Sequence, residues 1–223
     1  MSSSVVITTL NEVVGVQKIL PKIRKEWADE WIVVDGNSTD GTIDEAKKIG
    51  FRVAIQKNKG HGDAVIIGVN ETKSDYILFW GPDGNHEIEE IPRLIEKIKD
   101  GYDQVIISRF EKTSVNLDAG RFDRFGNRMF TFLINAFFGG NLTDALNLSR
   151  IISRKSILEL KFDAKGLDST TQMSIRALKK KHKIIDIAGN EGARIGGQRK
   201  MKPIPVGLDL SKLIIREFIF WKV

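Results

Sequence analysis

The stretch VVDGNSTDGT, Val33 to Thr42, decides the architecture. Val33 and Val34 extend Trp31 and Ile32 into an apolar run suited to a parallel strand covered on both faces. Asp35 ends that run, and Asn37, Ser38, Asp40 and Gly41 supply turn and capping chemistry ahead of a helix. In open α/β sheets ligands bind just outside the carboxyl ends of the strands, so a carboxylate at Asp35 is placed to meet a ribose hydroxyl or a base edge. An ordinary strand-to-helix turn has the same composition, so function has to be argued from further segments.

Outward from this stretch the chain alternates. Residues 5–9, 31–35, 52–56, 76–80 and 104–108 read as strands with helical stretches between them. After Asp40, the residues Ile43, Ala46 and Ile49 repeat on one helical face and Gly50 supplies a stop. Before Gly101, the residues Leu94, Ile95 and Ile98 do the same, with Pro92 near the first turn. The expected class is α/β, a mostly parallel central sheet with helices on both faces.

Composition narrows the possibilities. A chain of 223 residues buries one sizeable core, which predicts a single domain over residues 1–223. Without cysteine there is neither a disulfide framework nor a thiolate metal site, as suits a reducing compartment. The start MSSSVVITTLNE lacks the basic and apolar regions of a signal peptide, so a cytoplasmic location is expected. The longest apolar stretch, MFTFLINAFF at 129–138, is about half of what a membrane-spanning helix needs. The net charge of +6 favours an acidic partner: nucleic acid, an anionic membrane surface or a phosphorylated substrate. Basic residues cluster at 179–183 and 194–202 without interleaved aromatics, which argues against nucleic acid.

Residues 119–138 read as a helix or helix pair carrying Arg121, Arg124 and Arg128 beside Phe122, Phe125, Met129, Phe130 and Phe132. One reading is a buried helix with a solvated arginine stripe. The other is an interfacial helix, with aromatic rings among lipid headgroups and arginines toward their phosphates. The C-terminal SKLIIREFIFWKV is a second candidate anchor.

Four further segments carry a resemblance: VITTLNE at 6–12, NKGHGDAVIIG at 58–68, ILFWGPDGNHEIEEIP at 77–92 and RIGGQRK at 194–200. In order and spacing they resemble family-2 inverting glycosyltransferases of the GT-A fold, the Rossmann-like nucleotide-diphospho-sugar transferase fold. The likeness is greatest to the dolichyl-phosphate mannose synthase-like, polyprenyl-phosphate glycosyltransferase branch. It implies a nucleotide-sugar-binding half at 1–110 and an acceptor-binding half at 111–223. Implied with it are a UDP- or GDP-linked hexose donor, a divalent cation, Mg²⁺ or Mn²⁺, and a polyprenyl phosphate acceptor reached by peripheral membrane contact.

The resemblance also assigns roles. Thr8, Asn11, Glu12, Asp35, Gly60, Gly62 and Asp83 fall at donor-binding positions, with Thr8 in place of the usual proline. Asp83 and Asn85 match the second aspartate and the glutamine of the metal turn, while Gly81 stands where the first aspartate belongs. His86 is a further ligand candidate for Mn²⁺, and Gly-Pro-Asp-Gly is also a plain turn sequence. A lipid phosphate is already an anion and needs cations rather than a base, which Arg109, Arg121, Arg150, Arg194 and Lys200 could supply. Asp83, Arg194 and Lys200 are the expected catalytic set. A sugar hydroxyl acceptor would instead need a general base. For that alternative Asp168 is the candidate, and a helix N-cap is its competing role. A second alternative is a catalytically silent nucleotide-binding relative.

Overall fold

The computed structural model describes residues 1–116, 120–196 and 202–220. Strand β1 (Ser3–Thr9) leads into α1 (Val13–Ile19), and after two single 3₁₀ turns come β2 (Glu30–Asp35), α2 (Thr42–Lys48) and β3 (Arg52–Ile55). Next are α3 (His61–Glu71), β4 (Tyr76–Trp80), α4 (Glu90–Ile98) and β5 (Gln104–Ser108). The second half contributes α5 (Arg121–Phe138), β6 (Arg150–Ser153), α6 (Arg154–Glu159), α7 (Ser169–Lys179), β7 (Ile184–Ala188) and α8 (Pro203–Ile219).

The seven strands form one sheet in the order β3-β2-β1-β4-β6-β5-β7. All pairings are parallel except those of β6, which runs antiparallel to both β4 and β5. Strands from the two halves of the chain therefore interleave in a single sheet, and the expected mostly parallel α/β class is the one observed. The short run RIIS of β6, wedged between longer strands, gives no sequence signal of its own direction.

Alternation along β1 shows how both faces are filled. Val5 and Ile7 pack with Val16, Leu94 and Ile98 beneath α1 and α4, whereas Val6 packs with Ile32, Val34, Ala64 and Val65 beneath α3. A third cluster joins Ile106 to Phe130 and Ile134 of α5 and to Leu210, Leu213 and Ile214 of α8. On α8 the buried residues Leu210, Leu213, Ile214 and Glu217 follow the i, i+3, i+4, i+7 spacing of one helix face. Glu217 is an acid in that apolar stripe. Its carboxylate receives Nε and Nη2 of Arg176 at 3.0 and 2.9 Å and Nε2 of Gln172 at 2.8 Å.

Register places the site. Ile7 lies opposite Trp80 and Thr9 opposite Asp35, so the turns after β1, β2 and β4 leave the sheet on the same edge. Strand order reverses between β1 and β4, which makes that edge a topological switch point.

Candidate functional site

Two turns meet at the switch point. Glu12 follows β1 and is nearly buried, its backbone N–H donating to Thr42 Oγ1 at 2.9 Å. Asp83 follows β4, and the Asn85 N–H donates to its Oδ1 at 3.1 Å, an Asx-type closure of the Gly-Pro-Asp-Gly turn. Gly15 brings the turns together: a Cβ there would lie 2.0 Å from the Pro82 carbonyl oxygen, so only glycine lets α1 press against this turn. Between the carboxylates sits Arg194, donating from Nη1 to Glu12 Oε1 at 3.0 Å and from Nη2 to Asp83 Oδ2 at 2.8 Å. Three residues singled out from sequence thus converge, although the acceptor arginine stands on the donor-side carboxylates.

Asn11 adopts a φ of 50° and clamps the neighbouring turn, its Oδ1 accepting from Thr39 N at 2.9 Å and its N–H donating to Ser38 Oγ at 2.7 Å. Thr8 is partly buried on β1 opposite Val34. Asn85 is buried beside Asp83. His86 Nδ1 donates to Glu90 Oε2 at 3.0 Å; burial opposes its charge, but Glu90 overrides burial and raises its pKa. That pairing draws His86 to α4 rather than to Asp83.

Several expectations need correction. Asp35 is fully buried, and its oxygens accept from Thr9 Oγ1, Ser38 N and Ser38 Oγ, each at 2.7 Å. It fastens its own turn and presents no open oxygen to a nucleotide. Gly60 and Gly62 are required by protein backbone: a Cβ would lie 2.2 Å from the Lys165 carbonyl oxygen and 1.8 Å from that of Ala164, respectively. Arg150 is fully buried, its guanidinium donating to Asn147 O, Ala145 O and Ser174 Oγ, and burial pulls its pKa down to about 10. It is enclosed away from any acceptor phosphate.

Arg109 is engaged as well. Its Nε and Nη2 form a fork on Asp144 at 2.6 and 3.0 Å, and Nη1 reaches Glu191 at 3.2 Å. Burial lowers its pKa, but the two carboxylates outweigh that and hold it raised. Sequence reasoning missed Asp144, whose only signal is an isolated acid between Leu142 and Ala145, two buried residues. Arg121 is exposed at the start of α5. Lys200, expected in the acceptor loop, lies outside the described residues, as do Arg199 of the same loop and residue 119 of the expected helix.

Asp168 occupies the N-cap position of α7, yet its side chain accepts from Gly166 N at 3.1 Å instead of capping. Its pKa is raised by burial, and the charged groups acting on it, Asp209 and Arg216, belong to α8. Nearby, His61 Nδ1 shares a proton with Ser169 Oγ at 2.7 Å. Burial first, and then the Arg150 charge, lower its pKa from 6.5 to about 4. The unfolded chain binds that proton near pH 6.5, and the folded chain binds it only near pH 4. Stability from His61 is therefore complete above pH 6.5 and drains away as pH falls toward 4. His61→Gln is expected to flatten the urea-midpoint profile between those values; an unchanged slope would show that carboxylates alone set it.

Among the described residues no group of three or more His, Asp or Glu could hold a metal by itself. Glu12 and Asp83 nonetheless converge on one positive centre. Mg²⁺ commonly takes one or two carboxylates and completes its shell with phosphate oxygens and water, so the pair fits such a cation.

Paired carboxylates at the switch point of an open, mostly parallel α/β sheet lie where such folds bind their ligands. The likeness to solved structures is one of fold: glucosyl-3-phosphoglycerate synthase from Mycobacterium tuberculosis, with Mg²⁺ and uridine diphosphate, superposes with a TM-score of 0.78 at 20% identity, over 99% of this chain and 80% of that one, which is the GT-A fold. The chain belongs to glycosyltransferase family 2, whose model, Glycosyl transferase family 2, matches residues 4–160. It is 29% identical to glycosyltransferase AglJ of Haloferax volcanii over 77% of this chain and 57% of that one. It is 26% identical to the dolichyl-phosphate hexose transferase of the same organism, over 96% and 92%. The chain thus spans little more than half of AglJ and nearly all of the hexose transferase.

Proposed function

We propose that the protein is an inverting transferase moving a hexose from a UDP- or GDP-sugar to a polyprenyl phosphate at a membrane surface. The observation that carries this reading is the convergence of Glu12, Asp83 and Arg194 at the carboxyl ends of β1 and β4. Asp83 and Glu12 would hold a Mg²⁺ or Mn²⁺ ion, with Asn85 supporting the turn; the ion would neutralise charge on the departing diphosphate. Asn11 keeps the neighbouring turn rigid. Arg194 supplies planar, permanently charged donors suited to an acceptor phosphate, with Lys200 as its expected companion on the same loop. The name of the Haloferax hexose transferase supports a lipid phosphate acceptor.

The surface supports a membrane. No described helix is long and apolar enough to cross one. Phe122, Phe125 and Phe132 of α5 are exposed at 67%, 66% and 68%. On α8, Ile204, Leu208, Ile215 and Phe218 are exposed too, and Phe137 meets Phe218 at 5.4 Å between ring centroids. A cleft of about 530 Å³ joins Arg121, Arg124 and Arg128 to Phe125, Met129 and Phe132. From it Arg128 stacks on Phe110, whose ring also carries Arg109, so cations lead from the aromatic face toward Glu191 and the Arg194 loop. Rings at headgroup depth beside arginines are what an anionic interface binds.

Replacing both Phe125 and Phe132 with Ser is expected to cut sedimentation with anionic vesicles roughly tenfold or more, at roughly 1.5–3 kcal/mol per buried ring. Unchanged sedimentation would remove the membrane from the account. The reaction itself is tested by offering UDP- and GDP-hexoses with Mn²⁺ to polyprenyl phosphate and, separately, to saccharides. Label in the lipid phase supports the reading; label on a saccharide that Asp168→Asn abolishes would replace it with base-assisted transfer to a hydroxyl.

A further inference from the structure

Arg194 reaches its two carboxylates across the chain, 182 residues beyond Glu12 and 111 beyond Asp83. The loop that carries it is stitched to the same turn. Gly192 N donates to Asn85 O at 2.7 Å, and Ile195 N donates to Asp83 O at 3.1 Å. One residue earlier Glu191 holds Arg109, and Asn190 N donates to Glu90 Oε1 at 3.1 Å. The backbone is thus anchored on both sides of Arg194, while its side chain is 22% exposed.

A guanidinium here and a divalent ion would claim the same oxygens. Asp83 Oδ2 and Glu12 Oε1 both face Arg194 within hydrogen-bond distance, and like charges this close repel when neither is screened. A divalent ion carries twice the charge in a smaller volume, and a nucleoside diphosphate adds further oxygens to it.

We propose that Arg194 is an internal counter-ion that competes with the divalent cation for Asp83 and Glu12, and that a cation arriving with its nucleotide displaces the guanidinium toward the acceptor. The proposal rests on the reading of Asp83 and Glu12 as the cation's carboxylates. Its consequence is an order of events. Arg194 becomes available to an anionic acceptor only after the donor is seated, so the phosphate acceptor is drawn in second. No new bond is made or broken in the exchange: one salt-bridged cation replaces another, and the guanidinium keeps its proton throughout.

The test is Mn²⁺ binding to the full chain, followed by the electron paramagnetic resonance signal of the free ion. Arg194→Gln is expected to bind Mn²⁺ alone at least tenfold more tightly than the wild type. Arg194→Lys, which keeps a cation on the loop, is expected to bind more weakly than Arg194→Gln. Adding Asp83→Asn to Arg194→Gln should erase the gain. Mn²⁺ affinity in Arg194→Gln equal to or below the wild type, in a wild type that binds Mn²⁺ with UDP or GDP, would overturn the counter-ion and leave the cation site standing. No Mn²⁺ binding by any of these proteins with either nucleotide would overturn the cation site and the counter-ion together.

Discussion

Asp83→Ala is expected to lower the proposed hexose transfer by more than about a hundredfold and to leave the unfolding temperature close to that of the wild type. The first half follows from charge. The leaving diphosphate gathers negative charge as the sugar departs, and loss of one preorganised stabilising group at such a centre costs about 10²–10³ in rate. Asp83 is expected to bear more of this load than its counterparts would, because Gly81 stands where the resemblance places the first aspartate of the turn. The second half follows from packing. Asp83 contributes no apolar core; it accepts from Asn85 N and pairs with a partly exposed arginine, a contact worth at most about 1 kcal/mol. Transfer and thermal unfolding on the same preparation check both halves, and near-normal transfer by the variant would end the assignment of Asp83.

Glu217→Ala is expected to be strongly destabilising. Glu217 is fully buried on α8 and paired with the nearly buried Arg176 of α7, with Gln172 as a further donor. Removing one member of a buried pair leaves the other charge uncompensated, at about 3–5 kcal/mol. Arg176 retains the Leu160 and Lys161 carbonyls and the exposed Asp163, which places the loss toward the lower end of that range. Urea unfolding measures it. Glu217→Gln, which keeps hydrogen-bonding capacity in the same volume, should lose less; a loss under about 0.5 kcal/mol in Glu217→Ala would mean that α8 is not held by this pair.

The parallel core was legible because its signals are local. The apolar runs ending at Thr9, Asp35, Trp80 and Ser108 are strands in the structure, since a strand covered on both faces must be apolar throughout. What was not legible depends on pairing across the chain. Nothing in RIIS tells that β6 runs antiparallel between β4 and β5. The same holds within the site. Glu12 and Asp83 could be named from their turns, yet whether a carboxylate is open or already engaged is set by its neighbours. Asp35 was read as a nucleotide contact because it ends a strand, but Ser38 three residues on and Thr9 on the adjacent strand take up its oxygens. Gly60 and Gly62 were placed at donor-binding positions, but the sequence gives no sign that the segment before α7 packs against both of them. Glu217 carried a usable signal, an acid in the apolar stripe of a helix, which marks either a partner or a site.

The central claim is that the acceptor is nucleophilic because it is already an anion. The most direct measurement supplies polyprenyl phosphate and the corresponding polyprenol, of the same chain length and in the same vesicles, with the donor sugar and Mn²⁺. Transfer to the phosphate alone, giving a product of inverted anomeric configuration, is the predicted result. Comparable transfer to the alcohol would contradict it, because a hydroxyl requires a base and the phosphate does not.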